Sequence, residues 1–464
     1  MKKRGERGRR GGVQARKPRQ FGPAAAPVDS RPDTKRDSEV AKSTHILQIE
    51  KPIYGGGFLA RAEGKAVFVP LALPGEQVRL RIVEGKRSYA TAEIEEIVAA
   101  AQERVMPKCR HFGACGGCQY QHADYAAQLD FKRAILRETL ERGGVRTPGE
   151  IAVLAGETWV YRNRIRVAFD AQGRPGYRGR RSHGVIPIAE CPIAAPLLVR
   201  AALAAGEIAQ RARPAMRPSE ISFFCNGNAR ELLVSVVSAD AGKGAFEGFA
   251  QALAEHIPEL KGAELVREEK QGRSQGRVAE WGETSLLYTA GGFQYRVDQG
   301  AFFQVNRWLV DGLLDLVTTG QRGELAWDLF AGVGLFARKL AESFTRAVAV
   351  EAAPVATRTL GENLRGTRAT AVRASTLDFL RSARKDERPD LIVLDPPRAG
   401  LGAETTGLLA EVAAPNVTYV SCDPATLARD LRALSGSGYS IESVTLADLF
   451  PQTFHLETVV RLRR

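Results

Sequence analysis

Two groups of residues in this 464-residue chain have the types and spacings that chemistry requires. The first is Cys109-x5-Cys115-Gly-Gly-Cys118, three thiols within ten residues of a glycine-containing loop. Such crowding is seldom core packing. It reads as a set of metal ligands lacking a fourth, for which Cys191 (in Glu190-Cys191-Pro192) and Cys225 are the candidates. Spacing alone separates neither these two nor zinc from an iron–sulfur cluster. The second group lies at strand ends in the C-terminal third. Asp395-Pro396-Pro397-Arg398 follows the apolar run Leu391–Leu394, and Ser421-Cys422-Asp423-Pro424 follows Val417–Val420. A lone cysteine is usually a small core hydrophobe. A cysteine just ahead of a helix is different, because the helix N-terminus lowers thiol pKa and favours the nucleophilic thiolate.

These residues need a scaffold, and the pattern from Leu325 onward supplies one. Leu325–Leu329, Ala347–Val350, Leu391–Leu394 and Val417–Val420 are strand-length apolar runs alternating with helical segments, as in a doubly wound parallel sheet. After the first run comes Asp328-Leu-Phe330-Ala-Gly332-Val-Gly334-Leu-Phe-Ala337, a G-x-G-x-x-A turn opening a helix. Glu351 ends the next run 19 residues after Gly332, where a carboxylate can grip ribose hydroxyls. That suits a nucleoside cofactor, either a dinucleotide or S-adenosylmethionine. Ligands of open α/β sheets bind beyond the carboxyl ends of the strands, so Asp328, Glu351, Asp395 and Cys422 are expected to converge on one crevice.

Upstream, His45 to about Ala100 reads as short strands broken by Gly55-Gly56-Gly57 and Pro74-Gly75. Val78, Leu80 and Ile82 alternate with Arg79 and Arg81, which predicts a small barrel of the OB type with the arginines on its outer face. A helix is expected from an Asp124 cap to Arg142, stopped by Gly143-Gly144. Arg162, Arg164 and Arg166 alternate after Tyr161 and either line an RNA channel or form a solvated strand face. An irregular stretch is expected near Lys270 to Arg277.

Composition bounds the rest. With 66 Lys+Arg against 53 Asp+Glu the net charge is +13, and residues 1–44, with 13 basic and 5 acidic side chains, hold most of it. That segment lacks the apolar content to fold alone, and reads as a disordered basic tail that is either simply solvated or a polycation for RNA. No run of about 18 apolar residues occurs, which excludes a membrane span. No apolar stretch follows the basic Met1–Arg10, so no secretory signal is expected. Six clustered cysteines in so long a chain suit a reducing, cytoplasmic setting.

The motifs together resemble the RNA (uracil-5-)-methyltransferases, specifically the 23S ribosomal RNA branch with a TRAM domain and an iron–sulfur cluster. The likeness runs from about Ile46 to Arg464. It rests on Cys109-x5-Cys-Gly-Gly-Cys118-Gln-Tyr-Gln, Cys191-Pro192, Phe302-Phe303-Gln304-Val305-Asn306, Asp395-Pro-Pro-Arg-Ala-Gly400, Ser421-Cys422-Asp-Pro-Ala-Thr-Leu-Ala-Arg-Asp430 and Phe450-Pro-Gln-Thr-Phe-His-Leu-Glu457. The resemblance implies a multidomain α/β protein: a disordered basic tail (1–44), a TRAM RNA-binding barrel (45–99), a mixed α/β central domain with the cluster (100–295) and a C-terminal Rossmann-like S-adenosylmethionine-dependent methyltransferase domain (296–464). Cys422 matches the nucleophile and Glu457 the proton-abstracting base. Gln304, Phe330, Glu351, Asp395 and Ser375 match cofactor-binding positions, beside the turn glycines Gly332 and Gly334. Cys109, Cys115, Cys118 and Cys191 match the ligands of a [4Fe-4S] cluster, which leaves Cys225 as a core residue. Leu335 departs from the family, which often has a polar residue there, and removes one possible hydrogen bond to the cofactor.

In those roles the residues make chemical sense. Uracil C5 is too weak a nucleophile for a sulfonium methyl until a thiolate adds at C6, and a base must then remove the C5 proton. The target uridine has to leave its stack, so flipped or single-stranded RNA is the expected substrate, with 23S rRNA first and no DNA or membrane partner. The chain is expected to be a monomer. A tRNA uracil-5-methyltransferase is the alternative within the family. A nicotinamide oxidoreductase shares the glycine turn but leaves Cys422 and Glu457 without work, and a non-catalytic RNA-binding factor has no use for them either.

Overall fold

The computed structural model describes residues 44–213, 215–267, 276–383 and 387–464. The expected basic tail therefore lies outside the described residues up to position 43. So does most of the irregular stretch near Lys270, although Arg277 itself sits in a strand.

Five strands close the N-terminal barrel: β1 (Thr44–Ile53), β2 (Gly57–Ala62), β3 (Lys65–Pro70), β4 (Gln77–Gly85) and β5 (Tyr89–Ala99), in the order β1-β2-β3-β5-β4. The alternation in β4 decides its facing. Val78, Leu80 and Ile82 are buried with Phe58 and Val67, while Arg79 and Arg81 point outward. Both arginines are matched by the neighbouring strand, Arg79 to Glu96 and Arg81 to Glu93, each at 2.9 Å. The geometry thus favours a solvated, self-paired face over two cations held for RNA, and such exposed pairs add little stability.

Helix α1 (Tyr125–Arg142) begins where expected, with the Asp124 carboxylate accepting from the Ala127 N–H, and stops at Gly143. Phe131 packs into the barrel core, whereas Ile135, Leu136 and Leu140 pack into the core of the C-terminal sheet. One helix so bolts the two units together. A short strand β6 (Ala152–Leu154) follows. A mixed sheet comes next, built from β7 (Arg164–Phe169), β8 (Pro175–Arg178), β9 (Val185–Pro187), β10 (Glu220–Cys225), β11 (Leu232–Val237), β12 (Leu260–Arg267) and β13 (Gly276–Gly282), in the order β13-β12-β11-β10-β7-β8-β9. Helices α2 (Pro196–Arg211) and α3 (Lys243–His256) pack on it, and Cys225 is fully buried in that core, as expected.

After the hairpin β14 (Ser285–Ala290)–β15 (Phe293–Asp298), the chain builds an eight-stranded sheet in the order β18-β17-β16-β19-β20-β22-β21-β6. Its strands are β16 (Gly323–Leu329), β17 (Phe344–Glu351), β18 (Ala369–Arg373), β19 (Leu391–Leu394), β20 (Asn416–Ser421), β21 (Ser440–Ala447) and β22 (Glu457–Arg463). From β18 to β20 the pairing is parallel; β22 inserts antiparallel between β20 and β21. One face is covered by the hairpin with α4 (Val310–Thr318), α5 (Leu335–Ser343) and α6 (Pro354–Asn363). On the other lie α1, α7 (Thr376–Ala383), α8 (Gly402–Val412) and α9 (Pro424–Gly436). Burial on both faces is why the central strands read as continuous apolar runs. Among the described residues no helix is long and apolar enough to cross a membrane.

Candidate active site

Strand register brings the polar residues to one level. Leu329 pairs with Val350 on one side and Leu394 on the other, so Phe330, Glu351 and Asp395 occupy the next position on three adjacent strands. Ser421 pairs with Thr458 across β20 and β22, which sets Cys422 and Glu457 side by side at the same carboxyl edge.

The glycine turn follows from sterics. Phe330 has φ +68° and Gly334 φ +92°. A Cβ on Gly334 would stand 2.7 Å from Leu360 Cδ1, so only glycine lets α5 start this close to α6. Asp328, buried beneath the turn, accepts from the Ala337 N–H at 2.8 Å through Oδ2, and its Oδ1 has no protein partner. Glu351 accepts from the Gly332 N–H at 2.9 Å and the Ala353 N–H at 2.7 Å. Gln304, Phe330, Gly332 and Asp395 line one cleft with Leu335. Ser375 lies just beyond β18, but its hydroxyl is engaged with Asp378, donating to Oδ2 at 2.6 Å and accepting from the Asp378 N–H, so it caps α7. The glycine turn, open at Gly332 where a Cβ would meet nothing within 4 Å, fits a nucleoside cofactor.

Electrostatics at the Cys422 edge differ from the sequence expectation. The helix N-terminus was to lower the thiol pKa; instead burial, joined by the Glu457 and Asp395 carboxylates, pushes it up to about 11, with Arg398 pulling the other way. The capping role at that helix end belongs to Asp423, whose Oδ1 accepts from the Ala425 and Thr426 N–H groups at 3.0 Å. Glu457 is buried, and burial followed by the Asp395 carboxylate lifts it well above the carboxylate range, again opposed by Arg398. Burial raises Asp395 to about 7. Asp328 also rises to about 7, through burial and then Asp395 and Glu351. Asp395 is thus the link between the two halves of the edge, acting on Asp328 on one side and on Cys422 on the other.

Sequence reasoning gave Arg398 and His455 no task. Arg398 Nη2 donates to His455 Nδ1 at 3.0 Å, and burial, with Arg398 next in effect, depresses His455 to about 4, so the ring is a neutral acceptor. Arg398 stood in the quoted Asp-Pro-Pro-Arg run, whose sharing of an edge with Cys422 was the available signal.

The segment leading to Glu457 is held from several sides. Lys132 Nζ reaches Asp448 Oδ1 at 2.5 Å and the Phe450 carbonyl at 3.0 Å. Gln452 O accepts from the Gln119 and Tyr120 N–H groups at 3.0 Å. Gln119 and Tyr120 directly follow Cys118, so the cysteine loop is tied to the approach to Glu457. Cys109, Cys115, Cys118 and Cys191 line one cavity of about 270 Å³, with Arg162 and His455 also in its wall. Burial raises the first three thiols, Cys118 to about 12. Among the described residues no three His, Cys, Asp or Glu side chains form a group that could hold a single metal ion. Arg162, Arg164 and Arg166 line a neighbouring groove of about 640 Å³ with Arg277 and Arg358. Arg166 pairs with Glu220, Arg277 with Glu264 and Arg358 with Asp298, and Arg164 donates to the Ala301 carbonyl, so most of these cations are matched within the protein, as in a plain solvated face.

Comparison with known proteins agrees with this architecture. Residues 272–464 match the family described as tRNA (Uracil-5-)-methyltransferase, and residues 46–94 match the TRAM domain. The 23S rRNA (uracil(1939)-C(5))-methyltransferase RlmD of Halomonas elongata is 33% identical over 88% of this chain and 87% of its own. Its namesake from Chromohalobacter salexigens is 34% identical over 93% and 91%. Among solved structures, the Pyrococcus abyssi tRNA (uracil-54, C5)-methyltransferase in complex with S-adenosyl-L-homocysteine superposes with a TM-score of 0.73 at 22% identity, covering 90% of this chain and all of that one. The fold, the TRAM barrel and these relatives together make the chain a member of the S-adenosylmethionine-dependent RNA (uracil-5-)-methyltransferase family.

Proposed function

We propose that the protein methylates C5 of a uridine in 23S rRNA, with Cys422 as nucleophile and Glu457 as base. The observation that carries the roles is the β20–β22 register, which sets these two side by side next to Asp395 and Arg398. Cys422 first loses its thiol proton to solvent; the thiolate Sγ then adds to C6 of the flipped base, and the displaced electron pair makes C5 nucleophilic. Gln304, Phe330, Gly332, Gly334, Glu351 and Asp395, with Ser375 at the margin, would hold S-adenosylmethionine, whose sulfonium methyl would pass to C5 as its S–CH3 bond breaks, leaving S-adenosylhomocysteine. Glu457 then removes the C5 proton and the thiolate leaves, giving 5-methyluridine. Burial makes Glu457 a stronger base once it is ionised, and it also favours the protonated acid, so Glu457 must give up its own proton before that last step. Arg398 stabilises both anions, so it is well placed to hold the thiolate until addition. The rRNA substrate is supported by the names of the two relatives above, and an RNA partner by the match to the TRAM domain.

Cys109, Cys115, Cys118 and Cys191 are assigned as ligands of a [4Fe-4S] cluster. Four thiols lining one cavity supply the ligand number and type that such a cluster takes, and the resemblance of the cysteine motif favours it over zinc. Bound there, the cluster would fix the loop that grips Gln452. The barrel (45–99), central region (100–295) and methyltransferase region (296–464) then act as one cytoplasmic enzyme.

RNA carrying 5-fluorouridine at the target tests the chemistry, because fluorine at C5 cannot leave as a proton. A covalent RNA–protein adduct that maps to Cys422 and is absent from Cys422→Ala is expected; an adduct elsewhere, or none, would overturn the roles.

A further inference from the structure

We propose that Tyr54, in the first turn of the barrel, is a positioning residue of the methyl-transfer site: its hydroxyl orients Asp423 beside Cys422, and its ring seats the segment that delivers Glu457. This rests on the reading of Cys422 and Glu457 given above.

The contacts cross from the barrel into the catalytic edge. Tyr54 donates its phenolic O–H to Asp423 Oδ2 at 3.2 Å, leaving Oδ1 to cap α9. Its ring meets Phe454 edge to face, centroids 5.7 Å apart at 81°. Phe454 in turn lies 4.4 Å from the His455 ring, and His455 receives Arg398. Packing is reciprocal: Tyr54 joins the core that contains Leu456, while Phe454 packs against the core of the barrel. The turn is seated closely, since a Cβ on Gly56 would stand 2.6 Å from Gln119 Cγ and 3.4 Å from Phe454 Cβ. Gln119 Oε1 also accepts from the Phe454 N–H at 3.3 Å.

The chemical consequence lies in where charge is held. Asp423 adjoins a thiol that must ionise, and a carboxylate free to swing toward that thiol would oppose ionisation. Hydrogen bonding to Tyr54 holds one oxygen toward the barrel, and the backbone of α9 holds the other. The stack Tyr54–Phe454–His455 also sets Arg398, the cation that favours the thiolate. The barrel therefore contributes to the reaction as well as to RNA capture.

Tyr54→Phe keeps the ring and removes the hydroxyl, and Asp423→Asn removes its partner's charge. Three measurements on the full chain separate the roles: Cys422 alkylation by iodoacetamide without RNA, followed by peptide mass spectrometry; single-turnover methyl transfer at saturating 23S rRNA and S-adenosylmethionine; and RNA affinity. Tyr54→Phe is expected to slow alkylation at pH 8.5 by roughly three- to tenfold and single-turnover transfer by roughly tenfold, with RNA affinity within about twofold. In the Asp423→Asn background the same change should cost nothing more, because the two act through one another. Wild-type alkylation and transfer rates in Tyr54→Phe, a rate loss explained wholly by weaker RNA binding, or losses that multiply in the double variant would each overturn the proposal. Methylation by Cys422→Ala would overturn the reading of Cys422 instead, and the alkylation arm, needing neither RNA nor turnover, would still decide Tyr54.

Discussion

As the proposed nucleophile, Cys422 has to ionise against its surroundings, since burial and the Glu457 and Asp395 carboxylates hold its pKa up to about 11 while Arg398 favours the thiolate. The resting enzyme should therefore hold mostly thiol at neutral pH, and the thiolate fraction should rise about tenfold per pH unit below that value. Alkylation of Cys422 is expected to climb with that slope from pH 7 to 9; a plateau below pH 8 would show the low-pKa thiol that the helix end alone suggests. Asp395 gives a stability prediction. Its folded pKa, raised by burial to about 7, means that the folded state holds this proton more tightly than the unfolded chain does. Stability from this group is thus complete below the ordinary carboxyl value near 4 and is lost as pH rises toward 7. Asp395→Asn, without that loss, should match the wild-type Tm at pH 4 and exceed it by several degrees at pH 8 in the cofactor-free protein. Equal melting at both values would show that the half-buried carboxyl is solvated enough to ionise freely. The residue types at this edge were legible from their strand-end positions, but their charge balance was not. It depends on Glu457, far along the chain from Asp395, arriving through the antiparallel insertion of β22.

At the scale of elements, the turn between β16 and α5 is a tightly constrained piece of the cofactor edge. Gly334→Ala would force a side chain into φ +92° and against Leu360, at a cost of about 1–3 kcal/mol. S-adenosylhomocysteine binding, measured by calorimetry, should weaken by roughly tenfold or more with a lower Tm; unchanged affinity would mean that the turn does not shape the cofactor site. The strands β16, β17, β19 and β20 were readable because burial on both faces makes them continuous apolar runs. The helix α1 was readable from its Asp124 cap and its glycine stop. Strand β6 was not, since three residues that pair only with β21 carry no periodicity of their own. Nor was the capping duty of Ser375, whose hydroxyl is taken by a neighbour three residues on.

The whole molecule converges on the segment 448–456. Helix α1 grips it through the buried Lys132–Asp448 pair, the cysteine loop through Gln119 and Tyr120, and the barrel through Tyr54. These ties join residues hundreds of positions apart, so the local pattern of the chain could not reveal them, although the motif carrying Glu457 was plain. If the proposed cluster is bound, Cys118→Ser should lose its iron–sulfur absorbance and raise hydrogen exchange across residues 449–456, because the loop holding Gln452 would be freed. Retained absorbance, or unchanged exchange after its loss, would remove the link between the cysteine cavity and the base. The most direct measurement is nucleoside mass spectrometry of unmodified 23S rRNA incubated with S-adenosylmethionine and either wild type or Cys422→Ala. 5-Methyluridine with wild type and none with Cys422→Ala is the expected result, and fragment mapping would place the uridine. No product from wild type would contradict the rRNA substrate, and equal product from both proteins would contradict Cys422 as the nucleophile.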